Sequence, residues 1–202
     1  MKLTVGQYQQ LYAIEKSSDP YEDKIIQRVS VATGKPESEV EAMPLTEFNA
    51  INRQITTEYN ALRLNPKPIS FLKTNGRLYQ INYKIGTLTA GQNTDIQWWL
   101  KEDPITAMDK ILASVAVEVK RYGWIKLPAK KRRPHADIAA DMQDVDFAQA
   151  YGCVVFFCKI FAVSIKSFLP SLEKQMKAKG KTKEEIQTFQ TDLMKTLDGF
   201  TM

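Results

Sequence analysis

The feature that most constrains the fold is an apolar segment of 20 residues at positions 150–169. Two lysines, Lys159 and Lys166, interrupt it, so its longest uncharged run falls well short of the ~20 residues that a membrane span needs. We therefore interpret it as the central buried helix of a globular fold, running from about residue 145 to 167. Helical spacing predicts the inward-facing residues, which are Val154, Phe157, Phe161 and Ile165.

Two cysteines on this segment indicate the cellular compartment in which the protein works. Cys153 and Cys158 are five residues apart, which places them roughly 140° apart around a helix, so they are not expected to bridge each other. Buried free thiols are typical of a reducing interior. The first residues of the chain lack the apolar stretch of a secretory signal. We therefore expect a cytoplasmic protein.

Composition argues against most catalytic classes. The 202 residues include one histidine and two cysteines, a supply that effectively excludes zinc fingers, histidine-rich metal sites and cysteine–histidine proteases. The sequence has no phosphate-binding glycine loop, nucleophile elbow or EF-hand loop. We expect no catalytic residue, no cofactor and no metal site.

Four aspartates lie close together between positions 137 and 146. Asp137, Asp141 and Asp144 share one face of a helix, with Asp146 close by, so four carboxylates could hold a divalent cation. Their spacing matches no known cation-binding loop, and acids near a helix start complement the helix dipole. We interpret His135, which stands between a proline and an alanine, as a solvated loop residue.

The N-terminal region, residues 1–64, is predicted to be helical. A capping box of Thr4 and Gln7 opens the first helix. Asp19 is the expected N-cap of the second, with Pro20 as its first helical residue and Gly34 at its end. A third helix carries a narrow apolar stripe formed by Phe48, Ile51, Ile55, Tyr59 and Leu62.

Two prolines at positions 66 and 68 end the helical pattern. After them, apolar and polar residues alternate with a period of two. This predicts a β-hairpin near 69–84 that turns at Asn75-Gly76, with Tyr79, Ile81 and Tyr83 on its buried face. A two-residue turn would set Phe71 opposite Gln80. A three-residue loop would set Phe71 opposite Tyr79, and we prefer it because it pairs apolar residues with apolar ones.

The remainder of the chain is predicted to form a helical bundle. Helices begin at the capping box Thr89/Gln92 and at Asp103, the second of them extending through Val119. A loop spans residues 122–136, and a last helix runs from Thr182 to about residue 197. The expected class is a predominantly α-helical α+β fold with one β-hairpin, in which regions 1–64 and 65–202 pack as one unit.

Two patches are candidates for partner binding. Adjacent tryptophans at 98 and 99 point ~100° apart on a helix, so we expect one in the core and the other at the surface as an interface anchor. The basic run at 120–133 could contact nucleic acid or an acidic protein, or could be a solvated loop neutralised by the acids at 137–146. The net charge of +5 permits an acidic partner without requiring one. The predicted partner-binding residues are Trp98, Trp99, Trp124, Lys130, Lys131, Arg132 and Arg133.

Three tracts resemble a known family. They are LTVGQYQQLY from position 3, TGKxxxxVEAMPLxxFNxI from Thr33 to Ile51, and the segment 78–92, where a strand pair precedes a helix opening with Thr-x-x-Gln. Together they resemble the tail assembly chaperone-like proteins of tailed bacteriophages. The resemblance covers roughly residues 1–120 and does not extend to the basic run.

The resemblance implies a non-enzymatic, phage-encoded protein that acts in the host cell cytoplasm without a cofactor. Such a protein would bind apolar helices of the tape measure protein, keep them soluble and assist assembly of the tail tube, by helix-in-groove contacts. A structural virion component, such as a neck, connector or tail protein, is the first alternative. A nucleic-acid-binding module that uses residues 120–133 is the second.

Overall fold

The computed structural model describes residues 2–61, 67–101, 103–122, 125–129, 132–178, 180, 182–185, 187–188 and 191. The helices are α1 (Val5–Lys16), α2 (Tyr21–Thr33), α3 (Glu37–Glu41), α4 (Leu45–Ala61), α5 (Ala90–Lys101), α6 (Met108–Val115), α7 (His135–Gln143) and α8 (Phe147–Ala178). A 3-10 turn, Ile85–Thr87, precedes α5. The strands are β1 (Phe71–Thr74), β2 (Arg77–Ile81), β3 (Ala116–Tyr122) and β4 (Ile125–Pro128). The predominantly helical α+β class is confirmed.

One apolar core joins the N-terminal helices to α8. Tyr8 of α1 stacks on Phe147 at the start of α8 and on Tyr59 of α4, with ring centroids 3.5 and 4.9 Å away. Backbone hydrogen bonds reinforce this contact, because the Val5 amide donates to the Val145 carbonyl and the Phe147 amide donates to the Leu3 carbonyl. The first helix is therefore anchored directly on the start of the last long one.

The buried positions predicted on the apolar segment are confirmed where they are described. Val154, Phe157 and Phe161 are at most 2% exposed, and the side chain of Ile165 lies outside the described residues. Helix α8 begins two residues later than expected and extends to Ala178, eleven residues beyond the predicted end. Cys153 and Cys158 are both buried and free.

The sequence signals for three capping boxes and for the end of α2 agree with the structure. The Thr4/Gln7, Thr89/Gln92 and Thr182/Glu185 boxes all form their reciprocal hydrogen bonds. Gly34 ends α2 in the left-handed conformation, at φ 70°. The prediction of Asp19 as an N-cap is wrong, because Pro20 keeps an extended ψ of 150° and the helix begins one residue later.

The predicted hairpin exists, but its predicted register is wrong. Phe71 pairs with Gln80, and Leu72 pairs with Tyr79, around a two-residue turn. Both turn residues have positive φ, 50° at Asn75 and 71° at Gly76, as a type I′ turn requires. The error came from assigning Phe71 to the inner face. Leu72 is the fully buried residue of β1, so apolar residues do face one another in the observed register.

The chain after α6 also differs from the prediction. The helix expected from Asp103 to Val119 runs only from Met108 to Val115, and β3 follows at once, paired with β2. Part of the expected loop at 122–136 is β4, which pairs with β3 and completes a sheet of order β1-β2-β3-β4 among the described residues. Val115 and Val119 fit a helical spacing, whereas Val117 and Val119 fit a strand, so pairing with β2 decides the outcome.

Candidate interaction surfaces

Helix α5 carries the two adjacent tryptophans at the molecular surface. Trp98 is 62% exposed, whereas Trp99 packs partly against the core, so the pair divides as expected. The ammonium group of Lys110, from α6, lies 4.2 Å from the centroid of the Trp99 ring, a cation–π distance. The Trp99 Nε1 atom is buried without a hydrogen-bond partner among the described residues. Trp99 is thus held by packing, and Trp98 is the accessible ring.

Two arginines of the basic run bind groups of the neighbouring elements. Arg132 Nη2 donates to the carbonyl oxygens of Ala113 and Ser114, at 2.8 and 3.2 Å, near the end of α6. A cation at this end of a helix complements the helix dipole. Arg133 binds the Asp141 carboxylate and donates to the Tyr79 hydroxyl at 2.9 Å. The predicted contact residues Trp124, Lys130 and Lys131 lie outside the described residues.

The Asp141 carboxylate is the centre of a polar network that ties β2 and the turn before it to α7. It accepts hydrogen bonds from the Tyr79 hydroxyl, from Arg133, from Arg77 at 3.2 Å and from the Asn75 amide at 3.2 Å. Burial alone would raise the pKa of Asp141, but the hydrogen bonds from Tyr79 and Arg133 outweigh it and lower the pKa to about 2. Burial and the bond to Asp141 raise the pKa of Tyr79.

The interpretation of His135 as a solvated loop residue is wrong. His135 is the first residue of α7 and is partly buried. Its Nε2 atom lies 3.1 Å from the Lys110 carbonyl oxygen and 3.0 Å from Ser114 Oγ. Because a carbonyl oxygen only accepts, Nε2 carries the hydrogen in this contact. The histidine joins the start of α7 to α6.

Helix α8 also carries an exposed apolar stripe that the sequence pattern did not predict. Phe156, Ile160 and Val163 follow one another at spacings of four and three, so they lie along one side of the helix. Phe156 is 38% exposed, Val163 is 68% exposed and Ile160 is half-buried. Tyr83 packs edge-on against the Phe156 ring, with centroids 5.1 Å apart. We call these three residues of α8 the apolar stripe.

The sequence carries only part of the signal for the apolar stripe. Apolar residues occur on most sides of the segment, and a helix of that kind needs neighbours on most of its sides. In the structure, α1, α6 and the 3-10 turn are the elements that contact α8 most. The side that carries the stripe keeps apolar residues at the surface. Sequence periodicity identifies the buried side chains, but it does not say how many sides the rest of the protein will cover.

No protein-family model, no curated protein and no solved structure matches this chain. Within the described residues, no helix has both the length and the apolar composition that crossing a membrane requires. The same part of the chain holds no group of three or more His, Cys, Asp or Glu side chains placed to bind a metal ion.

Proposed function

We propose that this protein is a non-enzymatic tail assembly chaperone of a tailed bacteriophage. In this proposal it acts in the host cell cytoplasm, binds apolar helices of the tape measure protein and assists assembly of the tail tube. The observation that carries the proposal is the apolar stripe of α8, because three apolar side chains at helical spacing are left accessible on a helix whose opposite side is fixed in the core.

The stripe offers apolar side chains at the helical spacing through which two amphipathic helices pack against each other. A partner helix with its own apolar side would cover Phe156 and Val163, and each square ångström of apolar surface removed from water contributes ~25 cal/mol. The Phe156 ring is already held by Tyr83, so little conformational entropy is lost when a partner covers it. Trp98, on α5, is a second exposed aromatic side chain suited to anchoring a partner.

Co-expression tests this proposal. The tape measure protein encoded in the same genome is expressed alone, with the wild-type protein and with Val163→Asp, and its soluble yield and co-purification are measured. We expect the wild type to raise the soluble yield and the variant to lose most of that gain. Leu45→Asp is the matched control, because Leu45 is 72% exposed but lies at the start of α4. Absence of any gain with the wild type contradicts the proposal.

The two alternatives are separable by experiment. A structural virion component would also need an exposed apolar surface, but it would be retained in purified phage particles. A nucleic-acid-binding module would depend on the basic run, and Arg132 and Arg133 there bond to groups within the fold. Its signature would be affinity for DNA that falls steeply with salt. We expect only weak, non-specific binding to DNA.

A further inference from the structure

We infer that the apolar stripe accepts an amphipathic partner helix that carries acidic residues along one edge. This inference rests on the proposed function, in which the stripe binds a helix, and it adds the charge of that helix. It follows from Lys159, an exposed lysine that lies beside the stripe on α8.

Lys159 occupies the border of the stripe on one side. It is exposed, and it lies three residues after Phe156 and four residues before Val163. A helix laid along the stripe would therefore run next to the positive charge of Lys159.

The rest of α8 offers little negative charge to offset Lys159. From Phe147 to Ala178 the helix contains four lysines and one acidic residue, Glu173. Glu173 is bound to Lys177 at 2.6 Å, in the last turns of the helix and away from the stripe. Carboxylates on a partner would gain favourable interactions with Lys159, whereas lysines at the same positions would be repelled.

The same charges argue against a second copy of this chain as the occupant. Two copies that pair through this stripe about a two-fold axis would each bring Lys159 to the shared interface. Like charges facing each other in this way are destabilising. A partner of opposite charge avoids that cost, and attraction between the charges also accelerates its association.

Synthetic peptides test the charge of the partner directly. One helical peptide of about 21 residues carries leucine along one side and glutamate along both edges. A second peptide replaces every glutamate by lysine, and a third is a scrambled version of the first. Binding to the full-length protein is measured by fluorescence anisotropy at about 0.05 M and 0.5 M salt.

We expect the glutamate peptide to bind about tenfold more tightly than the lysine peptide at low salt, with the difference shrinking at high salt. Lys159→Glu should remove or reverse this preference, whereas Lys73→Glu, at an exposed position on β1, should preserve it. Val163→Asp should weaken binding of the glutamate peptide about tenfold, and Leu45→Asp should leave it unchanged. Far-UV circular dichroism and thermal melts verify that each variant is folded.

Three results would overturn the inference. They are equal affinity for the glutamate and lysine peptides, binding of the scrambled peptide as tight as that of the original, and a wild-type dimer that Val163→Asp dissociates in sedimentation experiments. If the tape measure protein is kept soluble while the two charged peptides bind alike, only the inferred charge fails. If the wild type gives no gain in soluble yield, the proposed function fails, whatever the peptides do.

Discussion

Helices α8 and α5 both carry bulky aromatic residues, and two aromatic residues of α8 are buried where one of α5 is exposed. Phe157 and Phe161 of α8 are at most 2% exposed, while Trp98 of α5 is 62% exposed. Helix α8 is contacted by α1, α6 and the 3-10 turn, whereas α6 is the main neighbour of α5. The difference shows that the number of covered sides decides whether an aromatic residue stabilises the fold or remains available to a partner.

The largest expected effect tests this contrast directly. Phe157→Ala removes a fully buried ring and leaves a cavity, so the free energy of unfolding should fall by about 3–5 kcal/mol. Trp98→Ala, at an exposed position, should change it by less than about 0.5 kcal/mol. Urea denaturation measures both. Similar losses in the two variants would mean that α5 and α8 do not differ in the way described.

Glycines on the same two helices provide a second contrast. A Cβ added at Gly152 of α8 would lie closer than 3.0 Å to the Lys67 carbonyl oxygen, whereas a Cβ at Gly91 of α5 would meet nothing within 4 Å. Gly152→Ala should therefore lower the free energy of unfolding by about 1–3 kcal/mol, because the backbone at Lys67 or α8 must move. Gly91→Ala should be neutral or stabilising by up to about 1 kcal/mol, because alanine favours helix. Thermal melts that rank the two variants the other way would contradict the observed approach of Lys67 to α8.

Charged groups show the same dependence on burial. Arg133 contacts two carboxylates, the buried one of Asp141 and the half-exposed one of Asp137, the latter at 3.9 Å. Asp141→Asn should lower the free energy of unfolding by about 1.5–3 kcal/mol at neutral pH, because hydrogen bonds to a buried charge are lost. Asp137→Asn should cost less than about 1 kcal/mol, as surface ion pairs do.

Acid titration distinguishes the Asp141 effect from simple loss of packing. The pKa of Asp141 is lowered to about 2 in the folded protein, below the unfolded value of ~3.9. The carboxylate therefore stabilises the fold above about pH 4, and this contribution disappears as the pH falls toward 2. The difference in stability between the wild type and Asp141→Asn should shrink over that window. A difference that is independent of pH would show that the charge of Asp141 is not the cause.

The helical fold class was predictable because its signals are local. Capping boxes such as Thr4/Gln7 depend only on residues three or four apart, and so does the buried side of α8 that contains Val154 and Phe157. The β3 strand was not predictable in the same way. Val119 fits both a helix and a strand, and its pairing with Leu78 of β2, 41 positions earlier in the sequence, decides between them.

The interaction surfaces were less predictable than the fold, for a related reason. The sequence indicated that one of the two tryptophans would be exposed, but not that Lys110 would lie over the other. The partners of Arg133 are equally remote, because Tyr79 is 54 positions away in the sequence. The apolar stripe was missed because exposure is set by which neighbours reach α8, and no local pattern carries that information.

The smallest expected effect on stability comes from comparing a buried and an exposed valine of α8. Val154 and Val163 are the same residue type on the same helix, yet Val154 is 2% exposed and Val163 is 68% exposed. Val154→Ala should cost on the order of 1–2 kcal/mol, because buried methyl groups are lost, whereas Val163→Ala should change the free energy of unfolding by less than about 0.5 kcal/mol. Chemical denaturation of both variants is the measurement. A loss above about 1 kcal/mol for Val163→Ala would mean that other parts of the protein cover this side of α8, and the proposed partner would lose the surface on which it is meant to bind.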